Sequence, residues 1–322
     1  MKKALICGIS GQDGSLLANF LLEKGYKVIG SSRDALVSTF SNLHQLGIFK
    51  RVKLESMALI DFRNVLQVLT SNQPDEIYNL AGQSSVRLSF QQPVETLESI
   101  STGTLNLLEA IRFTGLKTRL YNACSSECFG ETTKEGADET TPFHPRSPYA
   151  VAKAAAYWEV ANYREAYGIQ ACSGILFNHE SILRPKHFVT RKIVSTAIRI
   201  SQGEKIKLEL GNLNIWRDWG YAPEYVDAMW RMLQQDQPDD YVVATGETHS
   251  LEEFVQVVFE KFLLDWKDHV IIEKNLYRPT DLKFSCGNPQ KAKEKLGWHA
   301  HINFEKLIKI LIDDEFEQQN FI

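Results

Sequence analysis

Short runs of apolar and β-branched residues alternate with helical stripes through the first half of the chain. That alternation predicts a parallel sheet with helices on both faces. Ala4–Cys7, Lys27–Gly30, Val52–Glu55, Glu76–Leu80, Arg119–Ala123 and Gln170–Leu176 read as strands. Between them Leu16, Leu17, Phe20 and Leu21 recur at helical spacing, as do Val65, Leu66, Val68 and Leu69. Leu105, Leu107, Leu108 and Ile111 belong to a longer helical segment near 92–114, and 147–167 reads as another. The fold expected is α/β, a doubly wound parallel sheet of the Rossmann type, whose ligands sit beyond the carboxyl ends of the strands. After Leu176 the rhythm weakens, with Lys207–Leu210 and Tyr241–Ala244 strand-like among helices near 188–203, 223–235, 250–265 and 303–318. We therefore expect residues 1–176 to form the wound domain, with later segments near 214–245 returning to it. Residues 177–322 should form mainly a smaller C-terminal α/β substrate lobe.

Composition narrows the class. A chain of 322 residues suits two lobes sharing a cleft better than one core. With 43% hydrophobic and 24% charged residues it is an ordinary globular protein, and a formal charge of −4 offers no broad basic surface for nucleic acid. Cys7, Cys124, Cys128, Cys172 and Cys286 are odd in number and form no C-x-x-C pair, so neither a metal site nor structural disulfides are expected, and a reducing compartment fits. The two N-terminal lysines precede an apolar stretch too short for a secretory core, and no run approaches the roughly 18 apolar residues of a membrane span. A cytoplasmic enzyme without membrane contact is the expectation.

The chemistry begins at Gly8-Ile9-Ser10-Gly11-Gln12-Asp13-Gly14, placed directly after a strand and before an amphipathic helix. Such glycine spacing lets the backbone approach a pyrophosphate resting on the helix N-terminus, which makes the first domain a dinucleotide site. After the second strand the chain reads Gly30-Ser31-Ser32-Arg33-Asp34. Small hydroxyl residues followed by a guanidinium favour the 2′-phosphate of NADP, while Asp34 leaves NAD open as the lesser alternative. Asp61-Phe62 could position the adenine, although a lone Asp there is nearly as often a helix N-cap.

Tyr149 and Lys153 stand one helical turn apart, following Arg146-Ser147-Pro148, which ends a loop and starts the helix. An ammonium on the same face favours phenolate and lets the tyrosine accept a hydroxyl proton as hydride leaves the same carbon. Ser125-Ser126-Glu127 lies just past the fifth strand. A serine there can share the proton of a sugar oxygen. Glu127 is more informative, because plain alcohol oxidation has no use for a carboxylate, whereas a ketone acidifies the neighbouring C–H that a glutamate can then remove.

With these residues assembled the chain resembles the extended short-chain dehydrogenase/reductases, the NAD-dependent epimerase/dehydratases, and most closely the GDP-mannose 4,6-dehydratase family. The resemblance runs nearly end to end. It is carried by the glycine turn with Ser15, by Tyr78-Asn79-Leu80-Ala81-Gly82-Gln83-Ser84, by Thr141-Pro142-Phe143-His144-Pro145-Arg146-Ser147-Pro148-Tyr149 and by Gly174-Ile175-Leu176-Phe177-Asn178-His179-Glu180-Ser181. Phe188-Val189-Thr190-Arg191-Lys192, Arg217-Asp218-Trp219-Gly220, Ala244-Thr245-Gly246-Glu247 and Tyr277-Arg278-Pro279 extend it.

The resemblance implies a lyase that removes water from a GDP-manno sugar with no net redox change. Tyr149 would take the O4 proton while hydride leaves C4, and Glu127 would remove the C5 proton and help water leave from C6, where the hydride returns. It implies cofactor contacts from Leu80, Ala81, Gly82, Gln83 and Ser84, from Lys153, His179 and Arg184, and nucleotide-sugar contacts from Ser85, Ser126, Asn178, Val189, Lys192, Asn212, Arg217, Arg278 and Asp281. Bland alternatives are a core histidine for His179, an Arg217–Asp218 ion pair and packing roles for Trp216, Trp219 and Trp230. Long helices near 92–114 and 147–167 imply a homodimer. Asp34-Ala35-Leu36-Val37 replaces a family loop that supports a tetramer, which leaves tetramerisation open. Ser125 stands for the family's threonine, Ser181-Ile182-Leu183-Arg184-Pro185 loses a glycine hinge, and Asp281 replaces a glutamate. A 4-ketoreductase or epimerase of the same fold is the rival, and a non-enzymatic NADP-binding module is the remote one.

Overall fold

A computed structural model describes residues 1–320. Strands β1 (Lys3–Cys7), β2 (Lys27–Ser32), β3 (Lys53–Ser56), β4 (Glu76–Asn79), β5 (Arg119–Ser125) and β6 (Gln170–Leu176) alternate with helices α1 (Gln12–Glu23), α2 (Ser41–Gln45), α3 (Phe62–Asn72), α4 (Val86–Gln91), α5 (Pro93–Leu97), α6 (Gly103–Thr114) and α7 (Pro148–Tyr167). Then follow β7 (Asn178–Glu180), α8 (Val189–Ser201), β8 (Leu208–Leu210), β9 (Trp216–Arg217), β10 (Trp219–Tyr221), α9 (Ala222–Gln234), β11 (Tyr241–Val243), β12 (His249–Ser250), α10 (Leu251–Glu260), β13 (Val270–Ile272), β14 (Phe284–Ser285) and α11 (Phe304–Asn320).

The main sheet is parallel throughout, in the order β11-β6-β5-β4-β1-β2-β3. Apart from the edge strand β3, whose residues are exposed or half-buried, its strands are largely buried, as parallel strands covered by helices on both faces are. The chain winds outward in both directions from β1 and β4, and this reversal opens a crevice at their carboxyl ends. One apolar cluster packs α1, α2 and α9 on one face; another packs α3, α6 and α7 on the other. A separate cluster gathers α8, β8, α10 and α11.

Differences from expectation have local causes. The segment 92–114 is not one helix: a π turn at Glu98–Thr102 joins α5 to α6, and the helix expected to 265 stops at Glu260, where Leu263 turns back with φ +57°. The two- and three-residue strands β7, β9, β10, β12, β13 and β14 are too short for any period to announce them. They form small sheets, β10-β7, β12-β9-β14 and β13-β8, by pairing across long sequence separations. No helix among the described residues is long and apolar enough to cross a membrane.

Candidate active site

The glycine turn sits where β1 hands over to α1. Gly8 has φ +81°, and a Cβ there would lie 3.0 Å from the backbone of Leu80 and Ala81. At Gly14 a Cβ would stand 2.4 Å from the Gly8 carbonyl oxygen, so these glycines let turn and helix close on each other. Gly11 differs, since its Cβ would meet just that oxygen, at 3.4 Å, and otherwise faces open space. Gly11 caps α1 with no side-chain bond, leaving the helix N-terminus to an anion. That open cradle fits a dinucleotide pyrophosphate. Gly8 and Ile9 N–H donate to the Ser31 carbonyl at 3.1 and 3.3 Å, fixing the turn on β2. Ile9 is fully buried and Ser10 exposed.

Gln12 and Asp13 tie this turn to the chain beyond β6. Gln12 Nε2 donates to the His179 carbonyl at 3.2 Å and its Oε1 accepts from Ser181 Oγ at 2.9 Å. The Asp13 carboxylate lies 2.9 Å from His179 Nε2. Burial works against its charge, yet His179, Gln12 and Arg184 together outweigh it and hold Asp13 down to about 2; burial likewise works against a charged His179, which Asp13 nevertheless raises. His179 Nδ1 bonds the Phe177 carbonyl at 2.7 Å and the ring stacks on Tyr225. Arg184 donates to the His179 carbonyl at 3.0 Å, pairs with Glu180 at 3.1 Å and covers Phe188.

From Leu80 to Ser85 the chain loops over the crevice. Leu80 N–H donates to Cys7 at 3.1 Å, Gly82 has φ +113°, and Gln83 donates to Ser99 and Thr96 at 3.4 and 3.3 Å. Gly82 and Ser84 are exposed, with Ala81 and Ser85 half-buried between and beside them. Arg33 extends into solvent, 85% exposed, 3.4 Å from Glu95. Asp61 is engaged as the N-cap of α3, accepting from the Arg63 and Asn64 N–H, and Phe62 packs on the adjacent apolar cluster.

The candidate catalytic side chains meet between β5 and α7. Ser147 caps α7 and Pro148 occupies its first turn, so Tyr149 and Lys153 lie at the helix start, facing inward. Lys153 Nζ donates to the Ala123 carbonyl at 2.6 Å and lies 5.9 Å from the Tyr149 ring centre. The expectation of a phenol lowered by this lysine is not met: burial pushes Tyr149 up, the group pulling it down is the Ser125 hydroxyl, and Glu127 adds to the rise. Burial also draws Lys153 down. Ser125 ends β5, and its Oγ accepts from the Glu127 N–H at 3.3 Å, starting the tight turn Ser126–Phe129. Ser126 is buried, and Glu127 is half-buried, 3.6 Å from Arg278.

The remaining substrate-side candidates lie beyond β6, and of these Arg278 reaches that turn. Asn178 opens β7 beside His179, and Val189 begins α8 against the second core. Lys192 Nζ reaches the Glu209 carbonyl at 2.5 Å, and Asn212 accepts from Asn214 N–H at 3.0 Å to shape the turn after β8. Arg217 is 5% exposed; it donates to the Trp216 and Leu282 carbonyls and stands 3.5 Å from Asp281. It does not pair with Asp218, the bland alternative. Asp218 instead accepts from Thr245 N–H, Thr245 Oγ1 and Gly246 N–H at 2.8 to 2.9 Å, and burial pushes it up to about 6. Trp219 packs in the second core, while Trp216 and Trp230 are half-buried in aromatic contacts.

The family model described as GDP-mannose 4,6 dehydratase matches residues 5–311. The chain belongs to the GDP-mannose 4,6-dehydratase family. It is 49% identical over 326 residues to GDP-mannose 4,6 dehydratase 1 of Arabidopsis thaliana, covering 98% of this chain and 90% of the relative. Against GDP-mannose 4,6 dehydratase of Dictyostelium discoideum it is 42% identical over 342 residues, 98% of this chain and 96% of that one. Among solved structures, UDP-glucose 4-epimerase of Thermus thermophilus in complex with NAD superposes with a TM-score of 0.86 at 28% identity, over 98% of this chain and 99% of that one. The dTDP-glucose 4,6-dehydratase of Streptomyces venezuelae, solved with NAD bound, gives 0.87 at 18% identity over 99% and 98%, a likeness of fold.

In this dehydratase-family chain the structure brings Ser125, Glu127, Tyr149 and Lys153 together, along with Arg278, Arg217 and Asp281. Sequence reasoning did not find the polar framework: Asn42, which bridges the Ser10 and Leu183 carbonyls at 3.1 and 3.4 Å, Thr96 and Ser99 beneath Gln83, and the bonds of Asp218 to Thr245 and Gly246. For Asn42 the sequence has no signal. Thr96 and Ser99 flank the start of the π turn, whose register no helical pattern announces.

Proposed function

We propose that the protein removes water from GDP-mannose, or a close GDP-manno sugar, to give the GDP-4-keto-6-deoxy sugar, with no net change of redox state. Family membership makes it a lyase. The observation that carries the reading is Glu127, a carboxylate placed two residues beyond Ser125 and close enough to Tyr149 for its charge to act on the phenol. A 4-ketoreductase or epimerase would have no use for it.

The residue roles follow the geometry. Ser125 and Tyr149 hydroxyls address one sugar oxygen, O4, and Tyr149 takes its proton. A nicotinamide dinucleotide, held by Gly8 to Gly14 and Leu80 to Ser84, would supply the hydride acceptor for C4 and the hydride donor for C6. Lys153, whose own charge burial makes costly, is held by the Ala123 carbonyl and oriented toward the same side. Glu127 removes the C5 proton once C4 is a ketone and passes it to the departing C6 hydroxyl, so that water leaves; when hydride has returned to C6, the proton that Tyr149 took from O4 goes to C5, and both side chains end as they began. Arg217, Arg278 and Lys192 face the diphosphate, and Asp281 and Asn212 the nucleoside; Ser85, Ser126, Asn178 and Val189 line the sugar.

Residues 1–176, with segments near 214–245, hold the cofactor in this reading, and 177–322 hold mainly the nucleotide sugar; β11 joining β6 in the main sheet supports the return. Gly8 to Gly14, Leu80 to Ser84, His179 and Arg184 frame the dinucleotide. NADP is the preferred form because Arg33 is exposed at the end of β2 and able to swing from Glu95 to a 2′-phosphate. Asp61 and Phe62 border the adenine. The outer faces of α5, α6 and α7 expose Val94, Phe113, Val151 and Trp158, the last at 62%, and we assign them to a homodimer; a monomer in sedimentation at micromolar concentration would contradict this. Free buried cysteines suit a cytoplasmic enzyme.

The test is incubation with GDP-mannose and catalytic NADP⁺, without NADPH. A 4-keto-6-deoxy product is expected, with CDP- and dTDP-hexoses inert. Unchanged sugar, or product that requires added NADPH, overturns the reading; equal turnover with NAD⁺ overturns the NADP preference.

A further inference from the structure

The turn that carries Glu127 ends at Gly130, where φ is +70° and a Cβ would stand 2.4 Å from the His144 carbonyl oxygen. The chain thereby turns sharply and delivers Glu131 to a different part of the molecule. Glu131 Oε1 accepts from the Lys283 N–H at 2.5 Å and Oε2 from the Phe284 N–H at 2.9 Å. Thr132 continues the contact: its N–H donates to the Phe284 carbonyl at 3.2 Å and its Oγ1 accepts from the Cys286 N–H at 2.7 Å. On the opposite side Phe284 and Ser285 pair with Trp216 and Arg217 of β9. The arm 274–283 leading into β14 has one short turn, Lys274–Leu276, and no other regular structure.

We infer that Glu131 is a positioning residue for the dehydration, clasping this arm to the catalytic turn so that Arg278 meets Glu127 and Asp281 meets Arg217. The inference rests on the function proposed above and adds to it a residue outside the site. A carboxylate accepting from adjacent backbone N–H groups makes charge-assisted bonds, about twice as strong as neutral ones. The ion pairs it sets up, 3.6 Å for Arg278–Glu127 and 3.5 Å for Arg217–Asp281, lie within the length of chain that Glu131 registers. Grip on the nucleotide and aim of the base thus share an anchor in Glu131, beside the Thr280 contact to the Arg146 carbonyl and the pairing of β14 with β9. Glu131 is itself exposed, so its removal cuts these bonds without opening the core.

The experiment compares wild type with Glu131→Ala and Glu131→Gln, the second keeping side-chain length and one acceptor. Calorimetry with GDP as the probe is expected to show about tenfold weaker binding for the alanine variant and a smaller loss for the glutamine variant. Single turnover with GDP-mannose is expected to stall in the alanine variant after C4 oxidation, with the near-ultraviolet absorbance of reduced nicotinamide building up because Glu127 no longer removes the C5 proton. GDP affinity and absorbance traces matching wild type overturn the inference, as does a lower Tm with both unchanged, which would make Glu131 merely structural. If wild type makes no 4-keto-6-deoxy product, the proposed function falls, while GDP binding still decides whether Glu131 clasps the arm.

Discussion

The two walls of the crevice, the one proposed to hold the cofactor and the one proposed to hold the nucleotide sugar, are built by different means. The first is made of the carboxyl ends of long parallel strands and the N-termini of α1 and α7, so its functional atoms are placed by backbone geometry and glycine contacts. The second is made of strands of two or three residues and an irregular arm, held by side chains such as Arg217, Asp218 and Glu131 that bond to main-chain groups. A wall of regular elements tolerates change at its chemistry without moving. A wall of polar clamps shifts when one clamp is lost.

Tyr149 gives the largest expected effect and the sharpest test of the rigid wall. Tyr149→Phe keeps the buried ring and removes the hydroxyl that hydrogen-bonds Ser125. Turnover of GDP-mannose should fall by about 10²–10⁴-fold, the usual scale of positioned acid–base catalysis, with cofactor affinity and Tm near wild type. A variant retaining a tenth of the activity would remove Tyr149 from the mechanism.

The glycine turn separates two effects that a bare motif cannot. Gly14→Ala puts a Cβ 2.4 Å from the Gly8 oxygen and 2.7 Å from Ile9 Cα, so the cost is overpacking, about 1–3 kcal/mol of stability. Gly11→Ala meets only one atom, at 3.4 Å, and keeps an ordinary φ of −73°, so the fold should hold while the methyl obstructs the pyrophosphate. Thermal unfolding should show a lower Tm for the first and little change for the second, whereas NADP⁺ titration should show weaker binding for the second, by about tenfold (~1.4 kcal/mol). Equal Tm losses in both would mean that Gly11 also serves packing.

The same division explains what was legible in the sequence. Strand β6 falls where its apolar run predicts, and α9 at 222–234 is one residue from expectation, because burial on a regular lattice writes a period into the chain. Ser125, Glu127, Tyr149 and Lys153 were legible as residue types at defined spacings. Their partners were not: that Lys153 serves the Ala123 carbonyl, or that Asp218 ignores Arg217 for Thr245 and Gly246, depends on loops meeting across long separations. Asp61 shows the converse: of its two sequence readings, the capping bond is one that the fold by itself forms.

The smallest expected effect lies where the walls join, at Asp13 and His179. Asp13, held at about 2 against an ordinary value of 3.8, contributes stability that is present above pH 3.8 and lost as pH falls toward 2. His179 is raised above 6.5, so its contribution is complete below pH 6.5 and is lost as pH rises through the higher folded value. The pair therefore stabilises most between about pH 4 and 6.5. The two shifts describe one interaction and are not summed; with 23% of the Asp13 side chain exposed, solvent screening reduces it to about 1 kcal/mol. Asp13→Asn should lower Tm by about 2 °C at pH 6 and by less at pH 8. If the wild-type and variant curves run parallel across that interval, the histidine carries no charge in the folded protein, and the join is an ordinary hydrogen bond donated by the N–H of neutral imidazole to the Asp13 carboxylate.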